Sequence, residues 1–337
     1  MGNERFRVGV IGTSWWADLE HLPGLRARRD VELVSLCGRN PERLAALAAK
    51  FGVPRTCTEW RAMISGGGLD VLVIATPNSL HHPQAMAARA EAARRKTLTF
   101  FTHRTVAAAA QVKRLVGEGF LGQPLHVNAL YFTASHLREN KPLAWKMQRA
   151  ESGTGVLGDI GSHLIDLVRW WLGDFSRVAG QWQTVTRERS GGVADADEDC
   201  SFLAQLACGA QGVFQASKLV AGRGNYQRIE LHGSRGSLTY EADPGFDPTW
   251  EGRVFAGWPD RPGLELIALP RELAAGLDTP DNQADRNEAY RRLTDPFFAA
   301  IRDGGTVSPD FRDGAAVQAV LDAVAGSAEA KGWVSVR

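Results

Sequence analysis

Three titratable residues recur at helical spacing within an apolar segment of the 337-residue chain. Asp159, His163 and Asp166 stand at i, i+4 and i+7, which places them on one face of a helix. A carboxylate one turn from a histidine orients the imidazole and raises its basicity, as proton removal from a hydroxyl requires. The spacing therefore allows Asp159 to orient His163 for proton transfer, with Asp166 as a structural hydrogen-bonding group. The face supplies too few ligands for a metal ion, and no metal site is predicted.

A glycine directly after the first apolar run indicates a phosphate-binding turn. Gly12 ends a predicted strand, Ser14 takes the place of the second glycine of a G-x-G-x-x-G/A pattern, and Ala17 takes the third. Backbone N–H groups and the helix dipole reach a pyrophosphate where no Cβ intervenes. The alternative is a tight turn that binds no ligand. The residues expected to contact a dinucleotide here are Gly12, Thr13, Ser14, Trp15 and Trp16.

The end of the second predicted strand bears on which dinucleotide binds. The ribose-reading position is normally acidic for NAD, whereas the segment 36–40 has no carboxylate. A small residue followed by arginines suits the 2′-phosphate of NADP. NADP is therefore favoured and NAD is the alternative, unless these arginines are only solvated surface charges. The candidate contacts are Gly38, Arg39, Asn40 and Arg43.

A third set of polar residues follows the apolar run 71–75. Ligands of open α/β sheets lie at the carboxyl ends of the strands, and short hydrogen-bonding groups stand at that edge here. A capped strand-to-helix turn with a structural histidine is the alternative. The candidate cofactor contacts are Thr76, Pro77, Asn78 and His81.

The order of elements predicts an α/β chain with two domains, a parallel sheet in 1–104 and an α+β domain with a large, mostly antiparallel open sheet in 105–337. The N-terminal strands are predicted at 6–11, 31–37, 71–75 and 98–102, and helices at 15–29, 41–51, 59–64 and 82–95. Later strands are predicted at 125–134, 178–187, 201–207, 212–218, 228–232 and 237–241, and helices at 155–172, 287–302 and 314–330. The segment 243–263 is predicted to be a loop.

Taken together, the segments 12–17, 76–81, 158–167 and 310–316 resemble the glucose-fructose oxidoreductase, inositol dehydrogenase and MocA-like (Gfo/Idh/MocA) family. The resemblance covers nearly the whole chain. It implies an N-terminal Rossmann domain and hydride transfer between nicotinamide and a hydroxyl carbon of a sugar, inositol or related polyol. It also implies His163 as the acid/base group, Asp159 as its partner in substrate binding, and a homodimer or homotetramer formed through the C-terminal sheet.

The chain departs from the family in one segment. Family members carry a Glu-Lys-Pro segment on its own strand, and its lysine approaches the nicotinamide and the reacting hydroxyl. Here the segment 83–88 continues directly into 89–96, so one strand and parts of two helices are predicted to be deleted. Lys146 and Arg104 are the candidates to replace the charge of that lysine. The candidate substrate contacts are Arg104, Trp145 and Lys146.

Three functional classes are therefore open: an NAD(P)-dependent sugar or polyol dehydrogenase, a catalytically weakened dinucleotide-binding sensor or regulator, and an NAD-dependent glycosidase. A formal net charge of +1 argues against nucleic acid as a partner. No apolar run reaches the length of a membrane span, and the four cysteines lack CxxC spacing, so a cytoplasmic protein without membrane contact is expected. The apolar positions expected to pack under the C-terminal sheet or against a partner are Phe202, Leu206 and Phe214.

Overall fold

The computed structural model describes residues 5–90, 95–138, 140–243, 251–274 and 283–337. By backbone contacts the chain separates into two compact units. One comprises Met1–Lys96 and Asp281–Asp295, and the other comprises Thr97–Pro280 and Pro296–Arg337. The first unit therefore ends before residue 104, the predicted boundary, and it includes a later segment that the sequence assigned to the second domain.

The N-terminal unit is built on a parallel sheet of four strands in the order β3-β2-β1-β4. Three of its strands lie where the apolar runs predicted them, and the short β3 was missed because it carries little apolar pattern. The strands are β1 (Phe6–Ile11), β2 (Val31–Cys37), β3 (Arg55–Cys57) and β4 (Val71–Ile74). The helices are α1 (Leu22–Arg26, after a π turn at Ala17–His21), α2 (Pro41–Phe51), α3 (Trp60–Ser65) and α4 (Asn78–Ala90).

The strand predicted at 98–102 is wrong. Residues 95–101 are irregular, and Thr102–Thr105 forms a 3-10 turn. The backbone N–H groups of Phe101 and Thr102 bond two residues back, to Thr99 and Phe100, while Thr99 itself donates to the carbonyl of Pro309 at 2.9 Å. These donors are therefore used in turns and in a contact within the C-terminal unit, and they are not free for a sheet ladder.

Helix α2 shows how local sequence fixes the elements around the parallel sheet. The Asn40 side chain accepts from the N–H of Arg43 at 2.9 Å, and Pro41 occupies the first turn, where its missing N–H costs nothing. Gly52 ends the helix with φ +68°, a conformation that favours glycine. Asn40 is therefore the N-cap of α2, so the residues after β2 have a defined geometry.

The C-terminal unit is built on a nine-stranded sheet in the order β14-β13-β12-β11-β5-β10-β9-β6-β15, parallel only between β5 and β10. Its strands are β5 (Pro124–Phe132), β6 (Phe175–Gln183), β9 (Asp199–Leu206), β10 (Gln211–Ser217), β11 (Tyr226–Gly233), β12 (Ser237–Ala242), β13 (Arg253–Trp258), β14 (Arg261–Ile267) and β15 (Val334–Ser335). A small hairpin pairs β7 (Glu188–Arg189) with β8 (Gly192–Val193). The loop predicted at 243–263 is wrong where β13 and β14 form a hairpin, and 244–250 lie outside the described residues.

The helices after residue 104 are α5 (Ala107–Gly117), α6 (Arg149–Ser152), α7 (Ser162–Leu172, after a π turn at Leu157–Gly161), α8 (Arg271–Ala274), α9 (Gln283–Asp303) and α10 (Phe311–Ala330). Three of them pack on the large sheet: α10 on β6, α5 on β12 and β13, and α7 on β5. Phe202, Leu206 and Phe214 are buried in the core between the sheet and its helices. These three residues are therefore core residues and cannot form an exposed interface with a second copy.

Helix α7 carries His163, and the π turn that leads into it carries Asp159. Its apolar side chains, including Leu164, Ile165 and Leu167, are buried in the core, and the Trp171 indole donates to the Ala109 carbonyl of α5 at 3.0 Å. Burial of one large apolar side chain contributes about 1.5 to 3 kcal/mol. The helix is therefore held firmly, with its titratable residues in fixed places. Among the described residues, no helix is long and apolar enough to cross a membrane.

Candidate active site

The turn after β1 has the close approach that a phosphate-binding glycine requires. Gly12 has φ +123°, and a Cβ there would lie 2.2 Å from the Ala75 carbonyl oxygen. The Gly12 N–H donates to the Cys37 carbonyl at 2.9 Å, which ties the turn to the end of β2. Only glycine fits this position, and it lies at the carboxyl edge of the parallel strands, as predicted.

Ser14 explains how the pattern tolerates a residue other than its second glycine. Its hydroxyl accepts from the Ala17 N–H at 3.3 Å and lies 3.5 Å from the Ala75 carbonyl. The serine thereby caps the start of the first helix, whose initial N–H groups have no partner within the helix. Trp15 and Trp16 are exposed beside it, with ring centroids 5.5 Å apart. The turn fits a dinucleotide pyrophosphate.

The residues after β2 lie against the same turn. A Cβ on Gly38 would meet the Thr13 methyl at 2.4 Å, and the Arg43 guanidinium donates to the Thr13 carbonyl. Arg39 and Asn40 are exposed. The structure thus brings Thr13, Gly38 and Arg43 together, and it leaves Arg39 exposed at the end of β2, where a ribose phosphate would be read.

The turn after β4 is closed by its own side chains. The Thr76 hydroxyl donates to the Gln84 side-chain oxygen at 2.7 Å, and a ring nitrogen of His81 lies 2.7 Å from the Thr76 carbonyl. Burial lowers the pKa of His81, although the Thr76 carbonyl opposes that shift. Pro77 and Asn78 lie at the same strand end. These contacts match the capped turn considered as the alternative for this segment, and a cofactor contact here stays a prediction.

In the C-terminal unit, Asp159 is bound by two ammonium groups. Lys146 donates to Oδ1, and the Nζ of Lys218 lies 2.7 Å from Oδ2. The two lysines outweigh the effect of burial and hold the pKa of Asp159 well below its usual range. Asp159 is therefore a permanent anion and not a proton carrier. Trp145 lies beside Lys146, whose Nζ is 5.7 Å from the indole centroid.

His163 lies one turn further along and is desolvated. Burial lowers its pKa to about 4, Asp159 opposes the shift, and Lys146 adds to it. Its Nδ1 is buried with no hydrogen-bond partner among the described residues. A neutral imidazole with an unpartnered nitrogen fits a substrate hydroxyl, since a base must be unprotonated to accept a proton.

Polar and aromatic groups of other elements surround the histidine. The His103 ring lies 4.3 Å from the His163 ring and bonds the Gln227 amide at 2.9 Å. Tyr131 of β5 packs on His103 and donates to Asn225. Burial lowers the pKa of His103 and raises that of Tyr131, so both are neutral near neutral pH. Asp159 is consequently the anion that faces His163 among the groups described here.

Arg104 has a different place from the one its predicted role requires. Its guanidinium is buried and donates from Nε to Asp166 Oδ2 at 2.8 Å, and also to the Ser308 hydroxyl at 2.9 Å. Burial raises the pKa of Asp166 to about 6, against the opposing effect of Arg104. Asp166 has the structural role that the sequence predicted. The geometry favours the same role for Arg104, rather than substrate binding.

Lys218 is the site residue that the sequence analysis missed. It follows β10 in a segment, 217–220, that carries no recognisable motif, and only its side-chain exposure of 4% distinguishes it from a surface lysine. Strand pairing determines the position of Lys218. Strand β10 pairs with β5 and β9 and ends beside the π turn that carries Asp159. Among the described residues, no group of three or more His, Cys, Asp or Glu side chains could hold a metal ion.

Both units of the chain are similar to known proteins. The family description "Oxidoreductase family, NAD-binding Rossmann fold" matches residues 6–94, and "GFO/IDH/MocA C-terminal domain" matches 109–239. Levoglucosan dehydrogenase of Pseudarthrobacter phenanthrenivorans is 30% identical over 88% of this chain and 87% of its own length. Inositol 2-dehydrogenase of Rhizobium meliloti is 23% identical over 98% and 99% of the two chains.

A solved structure shows the same likeness. A levoglucosan dehydrogenase in complex with NADH superposes with a TM-score of 0.87 at 27% identity, covering 99% of this chain and 100% of the other. The similarity therefore extends over both units and over the turns described above.

Proposed function

Because the chain belongs to the Gfo/Idh/MocA family of oxidoreductases, we propose that it oxidises a hydroxyl carbon of a sugar, inositol or related polyol with a nicotinamide dinucleotide, and catalyses the reverse reduction. The observation that carries the proposal is the half-buried, neutral His163, with its buried and unpartnered Nδ1, beside the permanently ionised Asp159. A bound nicotinamide dinucleotide supplies the hydride acceptor and donor.

His163 accepts the proton of the reacting hydroxyl during oxidation and returns it during reduction. Asp159 makes that transfer easier, because its negative charge stabilises the imidazolium that forms one helical turn away. Burial of the imidazole strengthens this interaction, since charges attract more strongly where water is excluded. General acid–base catalysis of this kind contributes about 10² to 10⁴ in rate.

We also propose that NADP(H) binds more tightly than NAD(H). The support is the absence of a carboxylate in the segment 36–40, together with Arg39 exposed at the end of β2. A 2′-phosphate makes charge-assisted contacts with a guanidinium, whereas an unmodified ribose gains little from one. The Arg39→Ala variant is expected to lose about 1 to 3 kcal/mol of NADP(H) affinity and to keep its NAD(H) affinity.

Fluorescence titration with both reduced cofactors tests this preference. Arg29→Ala is the matched control, because Arg29 is an exposed arginine of the same unit outside the candidate site. Equal affinities of the wild type for NADPH and NADH would refute the proposed preference for NADP(H).

A turnover screen against sugars, inositols and their keto forms, with both cofactors, tests the activity itself. A dehydrogenase changes the redox state of the cofactor in proportion to product. The missing Glu-Lys-Pro segment supports one other function, a sensor that binds the cofactor without turnover. Binding of NADP(H) with no turnover of any substrate would support the sensor, and product formation without net cofactor change would support a glycosidase.

A further inference from the structure

Lys218 differs from its neighbour Lys146 in burial and anchoring, although both bind Asp159. The Lys218 side chain is 4% exposed, and that of Lys146 is 44% exposed. The Lys218 N–H donates to the Glu198 carbonyl at 3.0 Å, and its carbonyl accepts from the His136 N–H at 3.0 Å. Lys218 is therefore fixed at both its backbone and its ammonium group, while Lys146 has room to move.

The segment that anchors Lys218 is itself held by a buried ionic cluster. The Glu198 carboxylate accepts from Arg189 at 2.5 Å and from Thr186 N–H at 2.7 Å, and it lies 3.0 Å from His136 Nδ1. Burial would raise the pKa of Glu198, but these donors outweigh it and lower the pKa to about 2. Glu198 thus stays ionised, and it holds together the strand and loop that carry Lys218.

The two lysines and Asp159 carry a combined formal charge of +1, from two ammonium groups and one carboxylate. Removing a buried charge partner usually leaves the other charge uncompensated at high cost. A second ammonium that is already fixed avoids that cost if the first one leaves. Asp159 can remain ionised on Lys218 alone.

We propose that Lys218 is a positioning residue that keeps Asp159 ionised and oriented beside His163, and so releases Lys146 to bind the reacting oxygen of the substrate. The sequence Glu-Lys-Pro does not occur in this chain, and this arrangement supplies an ammonium group at the acid–base pair from the C-terminal unit instead. The inference rests on the proposed dehydrogenase function. Lys218 acts through Asp159, whereas Lys146 touches the substrate.

The charged and polar groups around Asp159 and His163 are consistent with separate roles for Lys218 and Lys146. Asp159 and His163 face Lys146, Lys218 and His103, and Lys141 and Tyr131 also interact with Asp159 electrostatically. His103 and Tyr131 are neutral near neutral pH, so lysines alone set the positive charge at Asp159 among these groups.

Two variants of matched chemistry separate the roles. Lys218→Met is expected to lower kcat roughly 10- to 100-fold, the scale on which loss of an orienting partner lowers activity. It is also expected to raise KM, because Asp159 then holds Lys146. Lys146→Met is expected to raise KM at least as strongly as it lowers kcat. Lys218→Arg, which keeps the charge, is expected to recover most of kcat. Lys113→Met is the control, because Lys113 is a partly buried lysine that donates to the Trp170 carbonyl, outside the site.

A carboxyl NMR titration of the Asp159 side chain supplies a readout that needs no substrate. In Lys218→Met the titration midpoint is expected to move up by on the order of one pH unit or more, and in Lys113→Met it is expected to stay in place. An unchanged midpoint and kcat in a folded Lys218→Met protein would overturn the proposal. If that variant does not fold, the Lys146→Met variant decides: a KM equal to that of the wild type overturns the proposal. Failure of the dehydrogenase function would appear differently: the midpoint would move in Lys218→Met, but the wild type would turn over no sugar.

Discussion

The buried Arg104–Asp166 pair permits a quantitative test of how helix α7 is held. Arg104 and Asp166 have side-chain exposures of 5% and 1%, and replacing Asp166 by Asn keeps the shape while removing the charge. Burial raises the pKa of Asp166 to about 6, so the carboxylate itself gains little net free energy from the pair. The cost of the substitution comes from the Arg104 guanidinium, which is left without its buried counter-charge. Removal of one partner of a buried pair costs about 3 to 5 kcal/mol.

The structure places the expected loss near the lower end of that range. Arg104 keeps the Ser308 hydroxyl at 2.9 Å and a second carboxylate, Asp313, at 3.5 Å. We therefore expect Asp166→Asn to lower the free energy of unfolding by about 3 kcal/mol. The double variant Arg104→Met with Asp166→Leu removes both charges, and it is expected to lose only about 1 kcal/mol because no charge is stranded.

Urea unfolding followed by circular dichroism and tryptophan fluorescence measures these losses. Asp174→Asn is the control, because Asp174 pairs with Arg169 at 2.6 Å but is 67% exposed, and surface pairs contribute about 0 to 1 kcal/mol. A double variant less stable than Asp166→Asn would refute the reasoning. A rise in KM without loss of stability in Asp166→Asn would show instead that Arg104 binds substrate, as the sequence predicted.

Three further predictions concern other parts of the chain. Gly12→Ala is expected to abolish measurable cofactor binding, because its Cβ would overlap the Ala75 carbonyl. Gly52→Ala is the control: Gly52 has φ +68° and open space around it, so this variant should lose roughly 1 kcal/mol of stability and keep its cofactor affinity. Calorimetric titration compares the cofactor affinities of the two variants. Asn40→Ala is expected to lower the free energy of unfolding by about 1 kcal/mol through loss of the α2 cap, measured by urea unfolding, and no change would contradict it. The protein is expected to form a homodimer or homotetramer through the uncovered face of the C-terminal sheet, where Leu203 is exposed, and a monomeric mass by light scattering at micromolar concentration would argue against this.

The sequence was sufficient where a local pattern determines the structure. The apolar runs located β1, β2 and β4, the helix predicted at 41–51 matches α2, and helical spacing placed Asp159 close to His163. Each of these features depends on residues within a few positions of one another. Periodicity and capping therefore predict them.

The remaining features depend on contacts between distant segments. The segment 98–102 has strand-like composition, yet its donors are used by turns and by Pro309, more than two hundred positions away. Lys218 reaches Asp159 only through the pairing of β10 with its neighbours, and Arg104 of the 3-10 turn pairs with Asp166 of α7, 62 positions away. Nothing in a single sequence distinguishes these buried charged residues from solvated ones.

Steady-state oxidation of a sugar or polyol by the wild type and by His163→Ala, followed through the absorbance of the reduced nicotinamide, tests the central claim most directly. The wild type is expected to reduce NADP in proportion to product, and His163→Ala is expected to turn over at least about 10²-fold more slowly while binding NADPH with unchanged affinity. Equal turnover of the two proteins would contradict the role of His163 in proton transfer.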